Sequence, residues 1–187
     1  MFTQTLKDLT LTIANDNDAE SPRNWDNIGT VAFTSRRYAF GDELKTSDEL
    51  VELMHNPDCV YLKIYLYDHS GIAISTSPFS CQWDSGLAGL IYAFPEMHPE
   101  MTRDEIVKAL QSEVSDLNQW VEGEVYWYRI EDSKGDCLES CGGFFGLECC
   151  KEAGLEELKR LVDDREKAAE LESAESEYWA CRDVVTA

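Results

Sequence analysis

The sequence predicts an α+β fold: a central, mainly antiparallel β-sheet with packed helices and a long acidic C-terminal helix. Three observations carry this. Charge is segregated, with 11 acids and 5 bases in residues 1–58, only 3 acids and 1 base in 59–99, and 23 acids and 10 bases in 100–187. The weakly charged middle consists of short runs rich in β-branched and aromatic residues, punctuated by turn residues. The flanks carry apolar residues at three- and four-residue spacing behind capping signals.

The elements follow in chain order. "TLTIA" (10–14) and "TVAFTSRRYAF" (30–40) read as strands. "TSDELVELMH" opens with a capping box from Thr46 to Glu49 and predicts a short helix. "CVYLKIYLY" (59–67) alternates as a strand should, "DHSG" turns the chain, and "IAIST" (72–76) returns antiparallel to it. "SPFSCQWDSG" (77–86) is a loop, because Pro78 breaks a ladder and Asp84-Ser85-Gly86 is turn chemistry. "LAGLIYAF" (87–94) is a strongly buried strand.

A second capping box, Thr102 to Glu105, starts a helix with Ile106, Leu110, Val114, Leu117 and Val121 on one face, ending before Gly123. "GEVYWYRIE" (123–131) and "CLESC" (137–141) flank "DSKGD" as a hairpin. The last helix runs from about Gly154 to Tyr178. Its apolar stripe starts with Leu155, Leu158, Leu161 and Val162, then thins to Ala168, Ala169, Leu171 and Ala174, so its distal half projects or meets a partner. The expected division is a core over 1–147 and an acidic helical segment over 148–187.

Composition narrows function. A chain of 187 residues at 43% hydrophobic content buries a core, and its formal charge of −21 repels nucleic acid and attracts basic partners. Direct nucleic-acid contact is disfavoured, since Arg36-Arg37 and Lys159-Arg160 are the only adjacent basic pairs in an acidic chain. No Gly-rich phosphate loop occurs, because "CGGFFG" (141–146) has the wrong spacing, and no cofactor is expected. The start lacks a basic segment followed by an apolar run, and seven unevenly spaced cysteines read as reduced thiols, so a cytoplasmic protein is expected. No run is long and apolar enough for a membrane span.

"YDHSGIAISTSPFSCQWDSG" gathers His69, Ser70, Cys81, Asp68 and Asp84. A hydrolytic site needs a nucleophile, a base and an orienting acid, but Asp68, His69 and Ser70 are consecutive, and chain neighbours rarely face one another. The alternative reading is a metal-assisted hydrolase or nuclease, with Asp68, His69 and Asp84 catalytic and Asp26 joining them around a divalent ion. Each of these aspartates also fits as a loop cap. The cysteines lack the paired spacing of a structural zinc site.

The stronger signal is the C-terminal helix, with 12 acids and 6 bases from Glu148 to Asp183. Glu148, Glu152, Glu156, Glu157, Asp163, Asp164, Glu166, Glu170, Glu172, Glu175 and Glu177 are the expected partner-binding residues. Carboxylates along a helix rising 1.5 Å per residue imitate the charge array of a nucleic acid. The expected partner is a basic protein or ribonucleoprotein that binds nucleic acid.

"SPRNWDNIGT", "RRYAFGDE", "YLYDHSGIAISTSPFSCQWDSGLAGLIY" and "CGGFFG" together resemble a family of uncharacterised proteins of bacteriophages and other mobile elements. The likeness spans roughly residues 21–146 and implies a phage or plasmid setting, in which small acidic proteins inhibit host restriction or CRISPR systems. It carries no catalytic residue over. The resulting expectation is a non-enzymatic inhibitor of a host nucleic-acid-targeting defence system.

Overall fold

The structure, a computed structural model, describes residues 1–38, 40–69, 71–81 and 83–185, with side chains to residue 179. The fold is α+β, as the charge segregation and periodicities predict. The strands form two sheets, and the chain forms two compact units, residues 17–125 and residues 1–16 with 126–187. The expected division after residue 147 runs through the second of these.

The unit of residues 17–125 is built on a five-stranded sheet in the order β4-β3-β7-β5-β6. Its strands are β3 (Thr30–Phe33), β4 (Glu43–Leu44), β5 (Val60–Asp68), β6 (Ile72–Ser75) and β7 (Ser85–Ala93). All pairings are antiparallel except the short β3–β4 pair. Helices cover both faces. Helix α2 (Arg103–Val121) buries Ile106, Leu110, Val114 and Leu117 against Val31, Phe33, Ile64 and Ile91. Helix α1 (Ser47–His55) sets Leu50 against Ala32, Leu90 and Tyr92. Alternate residues of β7 therefore serve opposite cores, which is why "LAGLIYAF" lacks polar alternation. Both predicted capping boxes form, with Thr46 and Thr102 accepting from the amides of Glu49 and Glu105. Among the described residues of the expected strand 30–40, only 30–33 are strand. The chain then turns, because Arg36 and Arg37 interrupt the apolar pattern.

The other unit holds a four-stranded sheet, β1-β2-β8-β9, of β1 (Phe2–Leu6), β2 (Leu9–Asn15), β8 (Val125–Glu131) and β9 (Cys137–Phe145). The hairpin turn forms as predicted: Asp132 Oδ1 accepts from the amides of Lys134 and Asp136, and Gly135 takes φ +87°. Helix α3 (Leu147–Val185) packs Cys150, Leu158 and Val162 on Leu9, Leu11, Ile13, Tyr128 and Ile130. It begins seven residues before the expected Gly154, which lies inside the helix. A Cβ at Gly154 would stand 2.9 Å from Leu11 Cδ1, so the glycine marks close approach to the sheet. β1 and β4 have no counterpart in the sequence reading. Among the described residues no helix is long and apolar enough to cross a membrane.

Candidate functional site

The quoted central stretch converges at one end of the five-stranded sheet. Asp68 ends β5, Asp84 precedes β7, and the Asp68 amide donates to the Asp84 carbonyl at 2.9 Å. The side chains of Asp68 and His69 then diverge, as neighbours on an extended chain do. Asp68 Oδ2 accepts from the Tyr38 hydroxyl at 3.0 Å and pairs with the Arg37 guanidinium at 2.7 Å. His69 Nδ1 lies 3.6 Å from Asp84 Oδ1, while the Cys81 thiol donates to Asp84 Oδ2 at 3.3 Å. The Ser85 hydroxyl donates to the Cys81 carbonyl. Ser70 lies outside the described residues.

This order matters chemically. A thiol nucleophile needs the imidazole as its immediate base, with the carboxylate behind the imidazole. Here the carboxylate of Asp84 stands between thiol and imidazole, an arrangement that ties the 77–86 loop to β5. Asp68 is already engaged by Arg37 and Tyr38. Asp26 is exposed in the loop before β3, and among the described residues no three His, Cys, Asp or Glu side chains are grouped to hold a metal ion. Asp68, Asp84, Tyr38 and Trp83 line an open cleft of about 400 Å³, with Trp83 almost wholly in solvent.

A second constellation explains motifs whose role the sequence reading left unread. Arg23, from "SPRNWDNIGT", is 7% exposed and reaches two acids at once. Its Nε and Nη2 donate to Asp42 at 3.1 and 2.7 Å, Nη1 donates to Glu113 Oε2 at 2.9 Å, and Nη2 also donates to the Gly29 carbonyl. Glu113 Oε1 accepts from the amides of Ile28 and Gly29, and Asp42 Oδ2 from that of Val31. Asn27 Nδ2 closes the same loop on the carbonyls of Pro22 and Trp25. The result staples the 21–29 loop to α2 and to the turn before β4. Burial pulls the Arg23 pKa down, but the hydrogen bonds and charges of Asp42 and Glu113 outweigh it and raise the pKa above its ordinary value, so the guanidinium keeps its charge. Likewise Glu43 accepts from the Tyr92 hydroxyl and pairs with Lys45 at 2.8 Å. The signal in the sequence is a lone Arg in a polar, turn-rich segment and a Gly-Asp-Glu that follows the apolar "YAF".

The acidic helix divides at Val162. Up to that point Leu158 and Val162 are buried, and Glu148 and Glu157 are paired with Lys151 and Arg160. Glu152 and Glu156 are exposed, while Glu157 is half-buried. From Asp163 to Trp179 every residue is exposed, so the distal helix projects, as its fading stripe predicts. Asp164 pairs with Arg160 at 2.9 Å, Arg165 pairs with Asp8, and Glu166 pairs with Lys7. Among the described residues no ion pair holds Asp163, Glu170, Glu172, Glu175 or Glu177. Successive acids from Asp163 to Glu177 average about 3.5 Å along the axis, close to the phosphate repeat of one nucleic-acid strand and half the density of a duplex.

Comparison with protein-family models, with curated proteins and with solved structures finds no match.

Proposed function

We propose that the chain acts by binding: it is an acidic, non-enzymatic inhibitor of a host nucleic-acid-targeting defence system, encoded by a phage or mobile element and directed at CRISPR or restriction machinery. The carrying observation is the stretch of α3 from Asp163 to Trp179, exposed on every side with five carboxylates free of described ion pairs. A long helix that leaves its own sheet and keeps its acids unneutralised presents a line of charge to another molecule. Its spacing suits a Lys/Arg channel that follows one strand. Counterions released from both surfaces make such binding salt-dependent. No active-site chemistry is needed, which agrees with a central loop whose Asp84 carboxylate holds both the Cys81 thiol and the His69 imidazole. The metal-assisted alternative through Asp26, Asp68, His69 and Asp84 gains no comparable support, because no metal-holding group of side chains occurs among the described residues and Asp68 is already engaged.

The test is capture of partners from bacterial host lysate at low and high salt, with the wild type and a variant carrying Glu170→Lys, Glu172→Lys, Glu175→Lys and Glu177→Lys. Four exposed contacts at about 0.5 kcal/mol each amount to about 2 kcal/mol, or about 30-fold in affinity. The expected result is salt-sensitive capture of nucleic-acid-binding proteins by the wild type and its loss in the variant. Unchanged capture by the variant would refute the reading.

A further inference from the structure

The apolar residues of α3 do not lie on one continuous face. At 100° per residue, Leu171 stands about 180° round the helix from Val162, and Tyr178 about 200° from Leu158. Leu158 and Val162 face the helix's own sheet and are buried, whereas Leu171, Tyr178 and Trp179 are 67%, 61% and 53% exposed. The distal stripe is thus no frayed continuation of the packed one. Leu171 and Tyr178 point away from the sheet on which Leu158 and Val162 pack.

Its spacing is that of a short coiled-coil seam. Leu171, Ala174 and Tyr178 fall three and four residues apart, the a, d, a pattern, and the same spacing runs on in the sequence to Cys181 and Val185. The positions flanking this seam, where a partner helix's charges are met, are Glu170 and Glu177 on one side and Glu175 on the other. All three are exposed and free of described ion pairs. A second copy pairing here would set Glu170 against Glu175 or Glu177 of the other chain and join two chains of charge −21. Charge complementarity instead selects a helix with apolar a and d positions flanked by Lys or Arg.

Resting on the reading of α3 as a partner-binding surface, we infer that residues 170–178 dock one basic amphipathic helix of the partner as a short coiled coil, with carboxylates steering and the Leu171–Ala174–Tyr178 seam setting register. Pure charge mimicry has no register, so the seam turns a general attraction for cations into recognition of one helical face.

The probe is a synthetic three-heptad peptide with Leu at a and d and Lys at e and g, compared with a scrambled peptide of identical composition. Binding to the full chain is read by fluorescence anisotropy of the labelled peptide at about 50 mM and about 500 mM salt. The heptad peptide is expected to bind at least tenfold tighter than the scrambled one. Leu171→Asn with Tyr178→Asn should abolish that difference while leaving binding of the scrambled peptide unchanged. Both residues are exposed, and circular dichroism checks that the variant is folded.

Equal binding of the two peptides, a difference that survives the double variant, or a chain that sediments as a dimer through this face would overturn the seam. Equal but salt-sensitive binding of both peptides would leave the acidic-surface reading standing. No binding of either at low salt would remove both.

Discussion

Glu113 holds the 21–29 loop from three directions, and its removal should be felt by the whole unit of residues 17–125. Truncation in Glu113→Ala deletes the ion pair to Arg23, whose guanidinium is 7% exposed, and leaves the amides of Ile28 and Gly29 without their acceptor. Breaking one side of a buried pair costs about 3–5 kcal/mol. Two amides left short of an acceptor would add about 1–3 kcal/mol each if water could not reach them. Asp42 still pairs with Arg23, and the loop can admit water, so the expected net loss is about 3–4 kcal/mol. For a unit of this size that is a fall of roughly 12–20 °C in melting temperature. Thermal unfolding followed by circular dichroism, with urea titration as a cross-check, measures it. Glu113→Gln should lose less, because one amide oxygen still accepts from the loop. A loss below about 1 kcal/mol in Glu113→Ala would refute the staple as the element that orders "SPRNWDNIGT".

Two glycines of the central motif should behave oppositely. A Cβ on Gly89 would meet the Ala32 carbonyl oxygen at 2.1 Å, so Gly89→Ala should part β3 from β7 and cost about 3 kcal/mol or more, whereas Gly86→Ala, with nothing within 4 Å of its Cβ, should cost under about 1 kcal/mol in the same urea titration. The described cysteines should divide by burial: at neutral pH a thiol reagent followed by mass spectrometry should modify Cys137, Cys141 and Cys149 but spare Cys59 and Cys150 until the chain unfolds. Burial pushes the Cys150 thiol up to about 11, with the nearby Cys149 and Cys141 thiols adding to it. Since the folded thiol keeps its proton above the pH at which the unfolded one loses it, Cys150 stabilises the fold fully below about pH 8.5, and that contribution is lost as pH rises towards 11.

Local signals are legible in the sequence. The two capping boxes, the Ile106–Leu117 stripe and the "DSKGD" turn involve residues within a few positions of one another, so their physics is written in short windows. The apolar runs 59–67, 72–76 and 87–94 likewise mark their strands, because β5 and β6 each bury one face through Val60, Ile64, Leu66 and Ile74, and β7 buries both through Gly89 to Ala93. The edge strands β1 and β4 are not legible for the converse reason: one is largely exposed and the other is two residues long, so neither needs an apolar pattern. The candidate site was half legible. His69, Cys81 and Asp84 do meet while Asp68 turns to Arg37 and Tyr38, and which oxygen faces which group depends on loop geometry that no spacing encodes.

By itself the sequence determined the α+β class, the capped helices, the acidic character and the projecting distal helix, since these follow from composition and short-range periodicity. The tertiary structure alone decided that the strands divide between two sheets and that Arg23 spans to Asp42 and Glu113, which lies 90 residues away in the chain. It also decided that Asp84 separates thiol from imidazole, and which acids of α3 remain unpaired. Those facts rest on contacts between residues far apart in the chain, and such contacts exist only once hydrophobic burial has brought the elements together.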